Sequence, residues 1–370
     1  MTDSRIVVEP ARTAAQVVVP CSDLANTLEY LTSIPGFAVD LIMPADAPTV
    51  AVVSGHGVAL RLEQINDDRT PPPITLRLSG ASAPSPELRA LAPGMRRNLI
   101  VEFVATDAPV DVPAGVQQFL LTRLEGAGSW GVGRAGMLYR DLIPGRLGGR
   151  FVASHIRIPQ GGPVPDYVHF HRIRFQMIFC RRGSAQLVYE DQGPPFAFNE
   201  GDCVLQPPGI RHRVLETSAG FEVVEIGCPA VHETHADRAL ALPTGRVLPD
   251  RLFDSQRFVR HVAAEAHWAP WHPAGSGNGF EARDTGIGIA TNGLAGVHVV
   301  RSTRDGAATP TTRHTGEFLF LFVLSGELKL SSSTLGDHRL GEADCCVIPA
   351  ATDYALSADA GLDLLEVALP

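Results

Sequence analysis

The chain has 370 residues, a length typical of two or three domains rather than one. Hydrophobic residues make up 45% of the chain and charged residues 19%, which is enough apolar material for a folded core. The net charge of -9 without a basic stripe argues against a nucleic-acid partner, and the lack of a signal-peptide pattern or of a membrane-length apolar run predicts a cytoplasmic protein with no membrane partner.

The first part of the chain, residues 1–75, predicts a small α+β module. Short apolar segments, VVVP, FAVDLIM, TVAVVSG and VALRLE, are typical of strands. Between the first two lies SDLANTLEYLTS, where Ser22 or Asp23 can cap a helix that carries leucines on one face. The predicted order is therefore βαβββ. The Pro-rich and polar residues 76–104 that follow are predicted to form a linker.

The remainder of the chain predicts a mainly β structure. Glycine and proline recur between short apolar runs such as FQMIFC, AQLVYE, VHVVRS and FLFLFVL, and helical patterns are few. Short apolar runs separated by glycine and proline favour an antiparallel sandwich or barrel.

An internal repeat divides this β-rich part into two copies of one unit. GGRFVASHIRI aligns with NGLAGVHVVRS, DCVLQP with DCCVIP, and VVEIGCP with LLEVALP. The aligned pairs include His155 with His298, His171 with His314, and Glu225 with Glu366. Repeats of this size indicate duplicated domains. We therefore predict one domain at residues 105–245 and a second at 246–370.

Three histidines in the first copy have the pattern of a metal site. His169 and His171 alternate with Phe170 in a predicted strand, so their side chains point the same way. His212 follows a Pro-Pro-Gly turn that can return the chain to the same region. Three neutral imidazoles suit Fe, Zn, Ni, Cu or Mn and leave coordination positions open for substrate or water.

The spacing of these residues resembles the two motifs of the cupin superfamily. The first motif is matched by His169-x-His171-x4-Gln176-x6-Gly183, except that Gln176 replaces the usual glutamate. The second motif is matched by Gly201-x5-Pro207-x-Gly209-x2-His212. The resemblance covers both repeats. It implies two tandem jelly-roll β-barrels, of which the first binds a metal.

The resemblance also implies chemistry. A neutral amide is a poor metal ligand, so Gln176 is expected to be a weak fourth ligand or a hydrogen-bond donor beside a three-histidine centre. Such centres occur in cupin Fe(II) oxygenases. We expect a metal-dependent enzyme, an oxidoreductase using O2 on a small aromatic, diketone or hydroxy-acid substrate, with Fe(II) favoured and Zn, Ni or Mn as alternatives.

Other polar residues of the first repeat are candidates for substrate orientation. His155 and Arg157 share one face of the strand before the motif, and Arg174 follows the histidines closely. We expect His155, Arg174 and Gln176 to assist catalysis, since an arginine can hold a carboxylate with two hydrogen bonds. A surface ion pair is the alternative for each arginine.

The second repeat has lost most of the corresponding ligands. Thr312, Leu319 and Tyr354 stand at the positions of the first histidine, the acid and the last histidine, and only His314 is kept. One imidazole cannot hold a catalytic ion. We expect this degenerate domain to be a scaffold or half of a homodimer, with a metal-free pocket as the alternative.

The N-terminal module weakly resembles half of a vicinal-oxygen-chelate (glyoxalase-like) domain. TLEYLTSIPGFAVDLIM resembles that family's helix, loop and strand, and Glu63 stands where the family has a strand-end carboxylate. Only one βαβββ unit is visible and no matching histidine is present. A structural or dimerising role is therefore favoured for this module.

Two alternative functions remain open at the level of sequence. Cupin metal sites also support isomerase, lyase and cyclase reactions with a redox-silent metal. The chain could instead be a non-catalytic protein that binds a small molecule.

Overall fold

The computed structural model describes residues 15–33, 35–65, 72–80, 99–104, 109–125, 130–133, 136–271 and 278–370. The chain divides into two compact units, residues 1–109 and 110–370. In these ranges no helix has both the length and the hydropathy needed to cross a membrane.

The first unit has the predicted βαβββ order. Its elements are β1 (Val17–Cys21), α1 (Leu24–Ser33), β2 (Ala38–Met43), β3 (Val50–Gly55) and β4 (Val58–Gln64). The sheet order is β1-β4-β3-β2, with β1 parallel to β4 and the other pairs antiparallel. Asp23 accepts a hydrogen bond from the backbone N–H of Asn26 at 3.0 Å, which caps the helix as expected.

The predicted linker at 76–104 contains ordered strands, which corrects that prediction. β5 (Ile74–Ser79) pairs in parallel with β6 (Leu99–Val104). The alternating sequences ITLRLS and LIVEFV account for these strands. Leu99 is buried, and Ile74 and Val101 pack against the core of the first unit. Apolar side chains from both strands therefore belong to the core of that unit, whereas Ile100 and Val104 are exposed.

The second unit contains two β-sandwiches, each made of two antiparallel sheets. The larger sheet of the first sandwich contains β8 (Gly131–Val132), β9 (Leu138–Asp141), β10 (Val152–Ile158), β13 (Phe175–Arg182), β16 (Cys203–Leu205), β18 (Phe221–Cys228) and β22 (Val259–His261). The smaller sheet contains β11 (Gly162–Pro163), β12 (His169–Arg172), β14 (Ser184–Tyr189), β15 (Phe196–Asn199), β17 (His212–Thr217) and β19 (Glu233–Ala236).

The second sandwich repeats this plan with fewer strands in its smaller sheet. The larger sheet contains β7 (Leu120–Thr122), β23 (Ala269–Pro270), β24 (Phe280–Asp284), β25 (Gly296–Ser302), β27 (Phe318–Ser325), β30 (Cys345–Val347) and β32 (Asp363–Leu369). The smaller sheet contains β26 (Ala307–Ala308), β28 (Leu328–Ser332), β29 (Gly336–Leu340) and β31 (Ala355–Ala358). A hairpin, β20 (Leu252–Phe253) and β21 (Gln256–Arg257), and short helical turns at Arg146–Gly149, Ala263–Glu265 and Ile287–Ala290 complete the unit.

The two sandwiches exchange edge strands. β7 precedes the first sandwich in the chain but pairs with β30 of the second, and β22 follows the predicted boundary at 245/246 but pairs with β16 of the first. The two large sheets also share one apolar core, in which Phe175 and Phe179 lie with Phe318 and Phe320. Strand exchange and this core make residues 110–370 one structural unit.

The alternation of side chains along β13 assigns its two faces. Phe175, Met177 and Phe179 enter the core between the sandwiches, whereas Gln176 and Ile178 face the interior of the first sandwich. The predicted fold class, mainly β with two tandem jelly-roll sandwiches after an α+β module, is confirmed.

Candidate metal centre

The three predicted histidines come together on the smaller sheet of the first sandwich. His169 and His171 lie on β12, and His212 begins β17, where it is the direct cross-strand partner of His169. One ring nitrogen from each histidine lies within 4.8 Å of the others. His169 and His212 are buried, and the His169 and His212 ring centroids are 4.2 Å apart. This spacing allows three nitrogens to share one ion.

Hydrogen bonds to the far side of two of the three rings favour the tautomer that a metal requires. Nδ1 of His169 lies 2.8 Å from the carbonyl oxygen of Tyr167, and Nδ1 of His212 lies 3.1 Å from that of Ile210. A carbonyl only accepts hydrogen bonds, so in the neutral rings Nδ1 carries the proton and Nε2 keeps the lone pair. Nδ1 of His171 is 2.9 Å from the Thr234 hydroxyl. This donor set and its outer hydrogen bonds fit a divalent ion.

The histidines line a cavity of about 370 Å³ between the two sheets of the first sandwich. This volume lies in the range of small-molecule sites, roughly 300–1,000 Å³. On the larger sheet the cavity is lined at one end by Ser154, Gln176, Gln206 and Glu225. Much of the remaining lining, from both sheets, is apolar and includes Ile156, Ile158, Leu187, Phe198, Phe221 and Val223.

Gln176 lines the cavity and is 1% exposed. Its Nε2 donates a hydrogen bond to Oε1 of Glu225 at 2.5 Å, whereas its Oε1 has no hydrogen-bond partner in the described ranges. The amide is therefore held by the neighbouring strand with its oxygen available to a ligand. Whether that oxygen coordinates a metal remains a prediction.

His155 does not line the cavity, which corrects the prediction that it orients substrate. On β10 the even-numbered side chains, such as Ser154 and Ile156, face the cavity, so His155 faces the second sandwich. Its Nε2 lies 2.8 Å from Oε2 of Glu222, and its ring centroid lies 5.9 Å from that of Phe322.

In this strand, strand pairing shifts the correspondence between the two repeats by one residue from the one that sequence spacing predicts. Opposite Glu225 stands Ser154, whereas opposite the equivalent Glu366 stands His298. His298 therefore corresponds to Ser154 and not to His155. A slip of one residue moves every side chain of a strand to the other face.

Arg174 is also absent from the cavity lining. Its Nη1 donates to Oε1 of Glu317 at 2.6 Å, and Arg150 forms an ion pair with the same carboxylate. Because Glu317 belongs to the second sandwich, Arg174 joins the two sandwiches. Arg174 therefore forms an ion pair, which was the alternative prediction for this residue.

The second sandwich does not rebuild the histidine cluster. Thr312 forms a β-bridge with Tyr354, and Nε2 of His314 lies 2.9 Å from the carbonyl oxygen of Ile348. Within the ranges that the structure describes, His169, His171 and His212 form the one group with metal-ligand geometry. In the first unit, Glu63 is paired with Arg61 at 2.6 Å.

The cavity-lining residues that were not predicted include Gln206, Glu225, Tyr189 and His232. Tyr189 stacks on His212 with ring centroids 5.4 Å apart, and His232 lies edge-on to His171 at the same centroid distance. Burial, together with the charge of Glu225, raises the pKa of Tyr189, so its hydroxyl remains protonated. The repeat alignment did mark Glu225, but gave no reason to place it in the cavity.

Comparison with known proteins gave structural similarity only. No family model matches the chain, and no curated protein matches it. Salicylate 1,2-dioxygenase from Pseudaminobacter salicylatoxidans is 16% identical, and the match covers 70% of this chain and 86% of that protein, with a TM-score of 0.49. Oxalate decarboxylase from Bacillus subtilis is 14% identical, and the match covers 72% of this chain and 79% of that protein, with a TM-score of 0.48. The protein Ylba from E. coli is 13% identical, and the match covers 71% of this chain and 95% of that protein, with a TM-score of 0.47.

Proposed function

We propose that the chain is a metal-dependent enzyme that acts on a small organic molecule in the cavity of the first sandwich. The observation that carries this proposal is the convergence of three histidine nitrogens at the wall of a cavity that is large enough for a substrate. Three ligands leave coordination positions open, whereas purely structural sites are usually closed.

Within this proposal, His169, His171 and His212 would hold a divalent ion. When bound, the ion would supply Lewis acidity and, in the case of Fe(II), the capacity to react with O2. The neutral imidazoles leave its double positive charge intact, which favours an anionic or enolisable substrate. The apolar wall limits the access of water, and the polar end near Gln176 orients the substrate.

Fe(II)-dependent dioxygenation is the reaction that we favour. The alternatives are an isomerase, lyase or cyclase reaction with Zn, Ni or Mn, and non-catalytic binding of a small molecule. Cytoplasmic location and a homodimer are further parts of the proposal.

Oxygen consumption distinguishes these alternatives. Protein loaded with Fe(II) under anaerobic conditions is mixed with O2 and a panel of catechols, diketones and hydroxy acids. We expect substrate-dependent O2 uptake that falls more than about 100-fold in His212→Ala, since the ligand set is then incomplete. Protein loaded with Zn(II) is the matched control.

Product formation without O2 uptake would contradict the dioxygenase assignment and favour the redox-silent alternatives. Binding without turnover for every compound and metal would favour the binding protein.

A further inference from the structure

The cavity contains a carboxylate that does not belong to the histidine cluster. Glu225 lies on β18, opposite Ser154 on one side and Ile178 on the other, and all three side chains line the cavity. Gln176 stands at the position where an acid is expected beside the histidines. The acidic group of this site, Glu225, stands instead on the neighbouring strand. There it contacts the amide of Gln176 rather than completing the ligand set.

Most of the hydrogen-bonding capacity of Glu225 is unused by the protein. Its Oε1 accepts the hydrogen bond from Gln176, and no ion pair or hydrogen bond reaches Oε2 from the described part of the chain. A carboxylate offers about four acceptor positions. In the second sandwich the equivalent Glu366 accepts from His298 at 3.2 Å and from the indole of Trp271 at 3.4 Å.

A second polar group at the same end is also unsatisfied. Gln206 is 1% exposed, lines the cavity, and has no hydrogen-bond partner for either amide atom in the described ranges. Its backbone N–H donates to the carbonyl oxygen of Gln176 at 2.9 Å, and three residues later the N–H of Gly209 donates to that of His171 at 3.0 Å. The polar end of the cavity is thus connected directly to the histidine strand. Buried amides without partners indicate a site for ligand or ordered water.

Away from this end, the strands that carry Glu225 and Ser154 present apolar residues to the cavity, which Tyr139 and Arg213 of other strands also line. From Glu225 the strand continues through Val223 to Phe221, and from Ser154 the neighbouring strand continues through Ile156 to Ile158. A molecule that fills the cavity therefore meets acceptors near Glu225 and a mainly apolar surface along these two strands.

We infer that Glu225 sets the class of molecule that the cavity accepts: a small, largely apolar compound with a hydroxyl group that donates a hydrogen bond to this carboxylate. The inference rests on the proposed function, because the hydroxyl-bearing end is placed beside the metal centre. It adds a specificity-determining residue that is not a metal ligand.

Ligand binding tests this inference without turnover. The probes are 4-methylphenol and toluene, which differ by one hydroxyl group, and calorimetry measures their dissociation constants on Zn(II)-loaded protein. The wild type should prefer the phenol. In Glu225→Gln the ratio of the two constants should fall at least about tenfold, because a hydrogen bond to a charged acceptor is replaced by a weaker neutral one. The exposed Glu216→Gln variant, on the facing sheet, is the charge-matched control and should keep the ratio.

Metal content, measured on every variant, separates this inference from the proposed function. A wild type that binds zinc but shows no preference for the phenol over toluene would overturn the inference alone. A Glu225→Gln protein that keeps both metal and the full preference would also overturn it. Absence of metal from the wild type would instead overturn the proposed function.

Discussion

At the residue scale, His155 belongs to a buried charged cluster between the two sandwiches. Glu222 accepts hydrogen bonds from His155 and Arg181 and pairs with Arg157 at 2.8 Å. Burial lowers the pKa of His155, so its neutral ring donates from Nε2 to Glu222, while Nη2 of Arg140 lies 3.2 Å from Nδ1. The residue that was predicted to assist catalysis therefore stabilises the packing of the sheets.

This cluster predicts a defined loss of stability in acid. Burial alone would raise the pKa of Glu222, but the hydrogen bond from His155 and the charge of Arg181 outweigh it and lower that pKa to about 2. A depressed carboxyl pKa contributes stability that is present above about pH 4.5 and is lost as the pH falls towards 2. Glu222→Gln should cost about 3 kcal/mol at pH 7, because the arginine charges lose their buried partner.

Denaturant unfolding of the wild type and the variant at pH values between 2 and 7 measures this effect. In Glu222→Gln the pH dependence over the window from about 4.5 to 2 should flatten, whereas Glu216→Gln should unfold like the wild type. An unchanged slope in the Glu222 variant would show that the cluster does not carry the acid sensitivity.

At the element scale, the segment after β10 explains why the two repeats differ in register. From Ser154 to His171 there are 17 residues, whereas from the equivalent His298 to His314 there are 16. This one extra residue must be accommodated between the strands. The segment contains Gly161, whose φ of 66° lies in the left-handed region.

A pair of glycine substitutions tests the constraint on this segment. A Cβ added at Gly161 would lie 2.6 Å from the carbonyl carbon of Ser218, whereas one added at Gly162, with φ 88°, would meet nothing within 4 Å. Gly162→Ala should cost about 1 kcal/mol for its backbone conformation. Gly161→Ala should cost about 3 kcal/mol, since it adds a clash with backbone. Equal losses of unfolding free energy in the two variants would contradict the clash.

At the scale of the whole molecule, the two sandwiches have different interiors. The interior of the first contains the cavity, while that of the second is filled by apolar side chains such as Leu319, Leu321 and Leu328. Leu319 occupies the position of Gln176, so an apolar core residue of the second sandwich stands where the first has a polar cavity residue. The second sandwich supports the first through the shared core and the exchanged strands.

The sequence predicted the βαβββ order, the tandem sandwiches and the convergence of His169 with His171 and His212, because each depends on local alternation or on motif spacing. It did not predict strand exchange, which depends on long-range pairing of three-residue strands. Nor did it find the cavity position of Glu225, which depends on the pairing of β18 with its neighbours. It placed His155 on the wrong face, because the face of a strand depends on a register that one loop residue changes.

Elemental analysis tests the central claim, a three-histidine metal centre, most directly. Protein purified from cultures supplied with iron, zinc, nickel and manganese should hold about one divalent ion per chain. His212→Ala should lose the ion while keeping the circular dichroism spectrum of the folded wild type. A wild-type protein that is empty of metal under all four conditions, or a His212→Ala variant that keeps its ion, would contradict the account.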